Sequence, residues 1–351
     1  MSDHPRVQLQ HLMQMGELNI CNDIWLCIFT LIEPAEVGLI MALLSDRFDA
    51  LVDMHFRTRK WTIGNLKIVL SMDDVGDEQH IVKWRKNGGP TKHFSLPQQS
   101  PPRSLVGFER ISFFYIDHTV IAFVNRIQRL FNADATLNLD IRHGQNRSWN
   151  IVTQEIWPLI APNIGGMIFD LGQLGDRAST LLSKCTKLRS ICCSARFSDK
   201  LSNYRDEAFA GHALSTWIHT PLNECGHAKV LKFGKSCVPN IVRGMTEQLK
   251  ETFLRDSTPV NYVVVLQLLS GIASFDLKNE GTRERLTIRL IGNNLLLIAR
   301  SPIVRDEQQW TEWENEAVNM KAEQQKNLVD IHIGDMHIGP LSAAGPSQQV
   351  K

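Results

Sequence analysis

An excess of charge of one sign is the first thing this sequence does without: 38 lysines and arginines stand against 37 aspartates and glutamates in 351 residues, a formal net charge of +1. So balanced a chain has no extended positive field, and neither a nucleic acid nor an anionic membrane is its expected partner. Long apolar runs are missing too. The longest, such as Tyr262 to Leu269, fall far short of the ~20 residues a helix needs to span a bilayer. Met1 to Gly16 alternates polar and apolar residues without a continuous apolar stretch, so a secretory signal is not expected, and the Asn146-Arg147-Ser148 sequon reads as chance. The seven cysteines (Cys21, Cys27, Cys185, Cys192, Cys193, Cys225, Cys237) form an odd set without paired spacing, which suits free thiols better than a disulfide framework. Cytoplasm or nucleus is the expected compartment.

Catalytic and cofactor signatures are equally thin. Gly165-Gly166 and Gly172-Gln173-Leu174-Gly175 lack the lysine and the spacing of a phosphate loop. Cys225-Gly226-His227 with Cys237 lacks the two tight pairs of a structural zinc site. Cys192-Cys193 falls in a predicted strand, where free cysteine behaves as a small buried hydrophobe. Arg103, Arg110, Arg126 and Arg129 lie near aromatics, but with acidic neighbours and no net charge to make a nucleic-acid footprint. No nucleophile, base and oxyanion donor converge. The chain is read as non-enzymatic, with no cofactor and no metal.

What is there is an ordinary globular composition, 43% apolar and 21% charged, over a length that allows two or three domains. After a flexible N-terminus (1–17), residues 18–61 read as short amphipathic helices. Residues 62–102 hold short strands (Leu66–Leu70, His80–Trp84, Thr91–Phe94), a turn at Asn87-Gly-Gly-Pro90 and a Pro-rich linker. From 103 to 270, β-rich runs at Ile111–Tyr115, Thr136–Ile141, Met167–Leu171, Leu188–Cys192, Lys229–Phe233 and Tyr262–Leu266 alternate with helical spacing such as Val120, Phe123, Val124, Ile127, Leu130, Phe131, or Ile151, Val152, Ile156, Leu159. A period of about 25 to 40 residues is that of α/β repeats, and parallel strands need crossovers of this length. An open doubly wound sheet fits as well, but Leu181-Leu-Ser-Lys-Cys-Thr-Lys-Leu188-Arg-Ser-Ile191, a helix end, polar turn and short strand, favours a leucine-rich-repeat-like solenoid, irregular in period. Residues 271–333 return to strands (Ile272–Leu277, Arg285–Leu290, Leu295–Arg300) joined by turns at Asn279-Glu-Gly281 and Gly292-Asn-Asn294. A helix then starts at Asp306 and Glu307, its Trp310, Trp313 and Ala317 packing back on the sheet. Residues 334–351 read as a disordered tail.

Function concentrates in the N-terminal helices. Ile20, Ile24, Ile28 and Leu31, with Trp25 and Phe29, make the first helix apolar over too wide an arc to stand alone in water. Pro34 stops it; Val37, Ile40, Met41 and Leu44 form a second stripe, continued by Phe48, Leu51 and Val52. Through Ile20, Asp23, Ile24, Leu26, Ile28, Phe29, Ile32, Pro34, Val37, Leu43, Arg47 and Phe48 the segment resembles an F-box. The family usually opens Leu-Pro where this chain has Ile20-Cys21, a change that forfeits about 0.4–1 kcal/mol of pre-organisation. The wider chain, through Ser45 to Asp53, Gly107 to Arg110, Arg283 to Arg289 and Arg300 to Ala317, is similar to F-box proteins multiplied in nematodes. The resemblance implies an α/β protein whose F-box-like helices bind the Skp-type adaptor of a cullin–RING (SCF-type) ubiquitin ligase. It implies adaptor contact through Ile20, Cys21, Ile24, Trp25, Ile28, Phe29, Leu31, Pro34 and Val37, and an unknown protein substrate held by the α/β region. The alternative is a repeat-type interaction scaffold whose F-box is degenerate.

Overall fold

Proline and serine set the boundaries of the first elements. Asn22–Phe29 (α1) ends at Thr30, whose hydroxyl donates to the Cys27 carbonyl at 2.7 Å. Pro34 then opens Pro34–Leu39 (α2), a position where its missing N–H costs nothing. After a 3-10 turn at Met41–Leu43, Ser45 caps Asp46–Thr58 (α3), its Oγ accepting from Phe48 N at 3.4 Å. Asp46 and Asp49 in the first turn and His55 and Arg57 in the last complement the helix dipole.

The computed structural model describes residues 20–32, 34–39, 41–58, 60–70, 79–84, 92–97, 99–101, 103–131, 135–142, 144–193, 204–221, 227–237, 239–268, 273–292, 294–320 and 327–341. The chain divides into two compact units, Met1–Gly64 with Pro101–Gly107 and Asn65–Ser100 with Phe108–Lys351. The expected flexible N-terminus (1–17) and the turn at 87–90 lie outside the described residues, as do Thr91 and Ile272 at the starts of two expected strands.

The remaining elements alternate much as the sequence suggests. Trp61–Leu70 (β1), Gln79–Trp84 (β2) and Lys92–Ser95 (β3) pair antiparallel. Then come Leu105–Phe113 (β4), His118–Ile127 (α4), Ala135–Asp140 (β5), Asn146–Ile151 (α5), Trp157–Ile160 (α6) and Ile164–Phe169 (β6). Leu171–Leu174 (α7), Arg177–Ser183 (α8), Ser190–Cys193 (β7), Tyr204–His219 (α9), Lys229–Cys237 (β8), Pro239–Arg255 (α10) and Tyr262–Leu268 (β9) follow. Phe275–Asn279 (β10), Glu284–Ile291 (β11), Leu295–Pro302 (β12), Glu307–Asn319 (α11) and Leu328–His332 (β13) complete the chain. Among the described residues the strands form one sheet in the order β10-β11-β12-β9-β8-β7-β6-β5-β13-β4-β1-β2-β3. The class is mixed α/β, with a large parallel centre.

From β5 to β9 the parallel strands advance in chain order, without the reversal that marks the switch point of a doubly wound sheet. Strand alternation assigns the faces. Tyr262, Val264 and Leu266 on β9 share a side with Arg300 on β12, whose guanidinium lies over the Phe253 ring of α10. Val263 and Val265 point the other way, into a buried cluster with Trp310 and Ala317 of α11. The C-terminal helix thus packs back on the sheet as its aromatic spacing implies, and Asp306 caps it by accepting from Gln309 N at 3.0 Å. Both hairpin turns carry the expected chemistry. Asn279 Oδ1 accepts from Gly281 N and Thr282 N, and Gly292 takes φ +58, which glycine adopts without steric cost.

Three expectations need correction. Leu159 is only half-buried, because a π-helical turn at Val152–Ile156 shifts the register and turns Trp157 and Ile160 inward. Pro158 supplies the reason, since its ring would clash with a carbonyl four residues back in a regular α-turn. Leu328–His332 was not anticipated as a strand, yet it lies between β4 and β5, parallel to both. Finally, residues 334–341 are not a disordered tail. Ile338 bridges to Ile116, Gly339 N donates to the Ile116 carbonyl, and His118 N donates to the Pro340 carbonyl. Gly339 permits this approach, because a Cβ there would collide with the Tyr115 hydroxyl. Asp335 Oδ1 accepts from both N and Oγ of the buried Ser148, which ties the segment to the start of α5. Residues 342–351 lie outside the described residues.

Candidate docking surface

The first unit builds its own small core before it offers anything outward. Phe29, Val37, Leu51, Val52 and Phe56 are buried together, with Trp25, Leu26, Ile32 and Phe48 packed against them. Trp25 meets Phe48 edge to face at 4.8 Å and 72°, and Phe29 lies 6.3 Å from Phe48. Phe56 stacks on Trp61 at 4.5 Å, and Trp61 Nε1 donates to Ser104 Oγ at 3.2 Å. Such aromatic pairs add about 0.5–1.5 kcal/mol each beyond area burial. Arg47 on α3 donates from Nη2 to the Ile20 carbonyl at 2.6 Å and to Asn22 Oδ1 at 3.0 Å, which fixes the start of α1.

Of the nine residues expected to meet an adaptor, the structure divides inner from outer. Phe29 is 1% exposed and Val37 is fully buried, so these two sit in the module's own core and present no surface. Trp25 is half-buried against Phe48. Away from that core, Ile24 of α1 is 52% exposed and Ile28 half-buried, while outside the helix Leu31 is 86% exposed, Cys21 exposed, and Ile20 and Pro34 half-buried. Ile24 and Ile28 lie one turn apart on α1, with Ile20 before the helix and Leu31 in the turn after it, and Cys27, not anticipated, adds an exposed thiol. Asp23 is the acidic residue of α1's first turn and is exposed. Scattered apolar residues on a surface need no explanation; exposed ones on and just after one short helix do.

The other candidates fall differently. Of Cys225, His227 and Cys237, Cys225 lies outside the described residues, the Cys237 side chain is not described, and His227 is exposed beside Trp313 at 5.4 Å. Among the described residues no group of three or more His, Cys, Asp or Glu could hold a metal, and no helix is long and apolar enough to cross a membrane. Cys192 and Cys193 are buried in β7. Burial holds the Cys192 thiol above its ordinary pKa and pushes Cys185 up to about 12, so neither is a ready nucleophile.

One polar cluster escaped the sequence reading. Arg300, fully buried, donates from Nε and Nη2 to Glu284 Oε2 at 3.1 and 2.7 Å, from Nη1 to Asp256 Oδ2 at 2.5 Å, and from Nη2 to the Thr258 carbonyl at 3.0 Å. Its signal lay in the unbroken apolar run Leu295 to Ala299, which marks a strand buried on both faces and carries position 300 inside with it.

Compared with protein-family models, with curated proteins and with solved structures, the chain finds no match.

Proposed function

We propose that this protein is the substrate-recognition subunit of an SCF-type ubiquitin ligase, with the exposed side of α1 docking to a Skp-type adaptor and the α/β unit holding a target protein. The observation that supports this reading is the two-sidedness of α1. One side completes a core around Phe29, while the other leaves Ile24 open to solvent, as is Leu31 in the turn that follows. Interfaces draw most of their energy from a few such apolar anchors, each worth ~2 kcal/mol or more. Ile20, Cys21, Ile24, Ile28, Leu31 and Pro34 are the contact set; Trp25, Phe29 and Val37 support it from within. The α/β unit is read as an irregular leucine-rich-repeat-like body, in keeping with parallel strands that advance in chain order. The mechanism is proximity. Holding adaptor and target on one chain raises the effective concentration of target lysines near the ubiquitin-loaded enzyme, with no acid, base or nucleophile needed.

The test is capture of the purified adaptor by the full chain. Wild type is expected to bind, and Ile24→Asp with Leu31→Asp is expected to lose binding at least a hundredfold while keeping the wild-type unfolding curve. Equal capture by the double variant, or no capture by wild type, overturns the proposal and leaves a non-docking interaction scaffold.

A further inference from the structure

We infer that a cavity between α11 and the leading ends of β5, β6, β7 and β8 is a binding site for a pyranose sugar. The cavity measures about 660 Å³, within the range of small-molecule sites. Its floor is one row of the sheet. Thr136 pairs with Gly166, Gly166 with Ser190 and Ser190 with Val230, so the four positions lie side by side on one face. Val230 packs against the cluster that holds Trp310 and Ala317, which identifies this face as the one α11 covers. The row has no side chain larger than valine, and a hollow results. At its centre a Cβ on Gly166 would come within 2.8 Å of Thr136 Oγ1 and 3.0 Å of Ser190 Oγ, so bare backbone is what lets the two hydroxyls lean together.

The helix supplies the wall. Gln309, Trp313, Glu316 and Ala317 recur at helical spacing and line the cavity together, with Asn319 at the end of α11 and His227 beside Trp313. A ligand can reach these groups: His227, Gln309, Glu316 and Asn319 are exposed, and Trp313 and Ser190 are half-buried. Nor are they spent elsewhere, since among the described residues no hydrogen bond engages the side chain of Ser190, Gln309, Glu316 or Asn319.

The chemistry of the lining chooses the ligand. Arg189 and Glu316 bring one charge of each sign, so no ion is selected. The serine hydroxyl and the two amides each donate and accept, and the Glu316 carboxylate can accept from two neighbouring hydroxyls at once. A ring of hydroxyls, each both donor and acceptor, matches that set. Trp313 adds an aromatic face for apolar C–H groups. His227 lies 5.4 Å from Trp313 with the ring planes at 43°, closer than the about 7 Å that a flat ring needs to enter between two others. One aromatic face with polar groups around it suits the apolar face and hydroxyl edge of a sugar better than it suits a planar base.

The sugar has two sources, a free monosaccharide or the terminal residue of a glycan. Calorimetric titration of the full chain with glucose, galactose, mannose and N-acetylglucosamine, each as the free sugar and as its methyl glycoside, separates them. At least one is expected to bind ten or more times as tightly as glycerol, which has hydroxyls without a ring, and as adenine, which has a ring without hydroxyls. Binding of the methyl glycoside assigns the site to glycan ends, binding of the free sugar alone assigns it to monosaccharides, and either supports the inference. Because Trp313 also packs on the core cluster, Glu316→Ala and Gln309→Ala carry the test. Both residues are exposed, and each variant is expected to weaken sugar binding several-fold with the unfolding curve unchanged. No binding by any of these sugars, equal binding of glycerol or adenine, or unaltered affinity in both variants overturns it. None of these outcomes depends on whether α1 binds an adaptor.

Discussion

Asp330 on β13 accepts a hydrogen bond at 3.1 Å from Ser112 Oγ on β4, across 218 residues of sequence. From the other side Asn138 Nδ2 on β5 donates to the same carboxylate at 3.0 Å, and Arg110 Nε lies 3.2 Å from it. A strand added last, between two that are successive in the sheet's parallel series, is thereby pinned in register. Slipping it by one residue would turn Asp330 toward the side occupied by Val329 and Ile331. Asp330→Ala leaves donors on both neighbouring strands without a partner. Unfolding in urea is expected to show a loss of about 1–3 kcal/mol, with Asp330→Asn losing less. An unchanged midpoint for the alanine variant would remove the carboxylate from this role.

Arg300 makes a sharper case because its burial is complete. Removing the guanidinium strands the buried Glu284 and leaves Asp256 facing it without a counter-ion. Arg300→Met is expected to cost about 3–5 kcal/mol. Arg300→Lys does not rescue, since a point charge on a flexible stem cannot reproduce four directed bonds to three partners. Thermal unfolding of the two variants beside wild type distinguishes a directional role from one of charge alone.

Lys229 makes stability depend on pH in a stated direction. Its pKa falls from the ordinary 10.5 to about 8 in the folded chain, because burial disfavours the charged form. Between those values the unfolded chain holds a proton that the folded chain has released, so the Lys229 contribution to stability rises with pH across about 8 to 10.5. Below pH 8 the full penalty applies. The stability of wild type relative to Lys229→Met is therefore expected to increase through that window and to be flat between pH 6 and 7. A flat difference throughout would mean that the ammonium is as well solvated folded as unfolded.

Much of the fold was legible because burial imposes period on sequence. Val120, Phe123, Val124, Ile127, Leu130 and Phe131 are all buried as their spacing implies. β13 was missed for a physical reason: its pairing partners are 192 and 218 residues away, and Asp330 interrupts the apolar run with a charge that only the folded neighbours satisfy. Residues 334–341 were misjudged because their glycine and proline suggested disorder, whereas Gly339 fits beneath Tyr115. In the first unit, sequence spacing marked α1 as apolar over a wide arc but could not divide its faces. That division needs α3, which supplies Leu51, Val52 and Phe56 to one side only.

The division of α1 makes a contrast measurable by substitution alone. Phe29 lies among Val37, Leu51 and Val52, so Phe29→Ala opens a cavity that the short helices can only partly collapse around, at an expected cost of about 3–5 kcal/mol. Ile24→Ala and Leu31→Ala remove side chains that already meet water, and both are expected to change stability by less than about 0.5 kcal/mol. Phe29→Asp is therefore expected to unfold the module, which makes it unfit as a docking probe, while Ile24→Asp leaves it folded. Hydrogen exchange read on α1 and α3 checks this locally: protection should collapse for Phe29→Ala and persist for Leu31→Ala. Were Leu31→Ala to lose protection as well, the outward apolar residues would belong to a core, and no free apolar face would be left for a partner to cover.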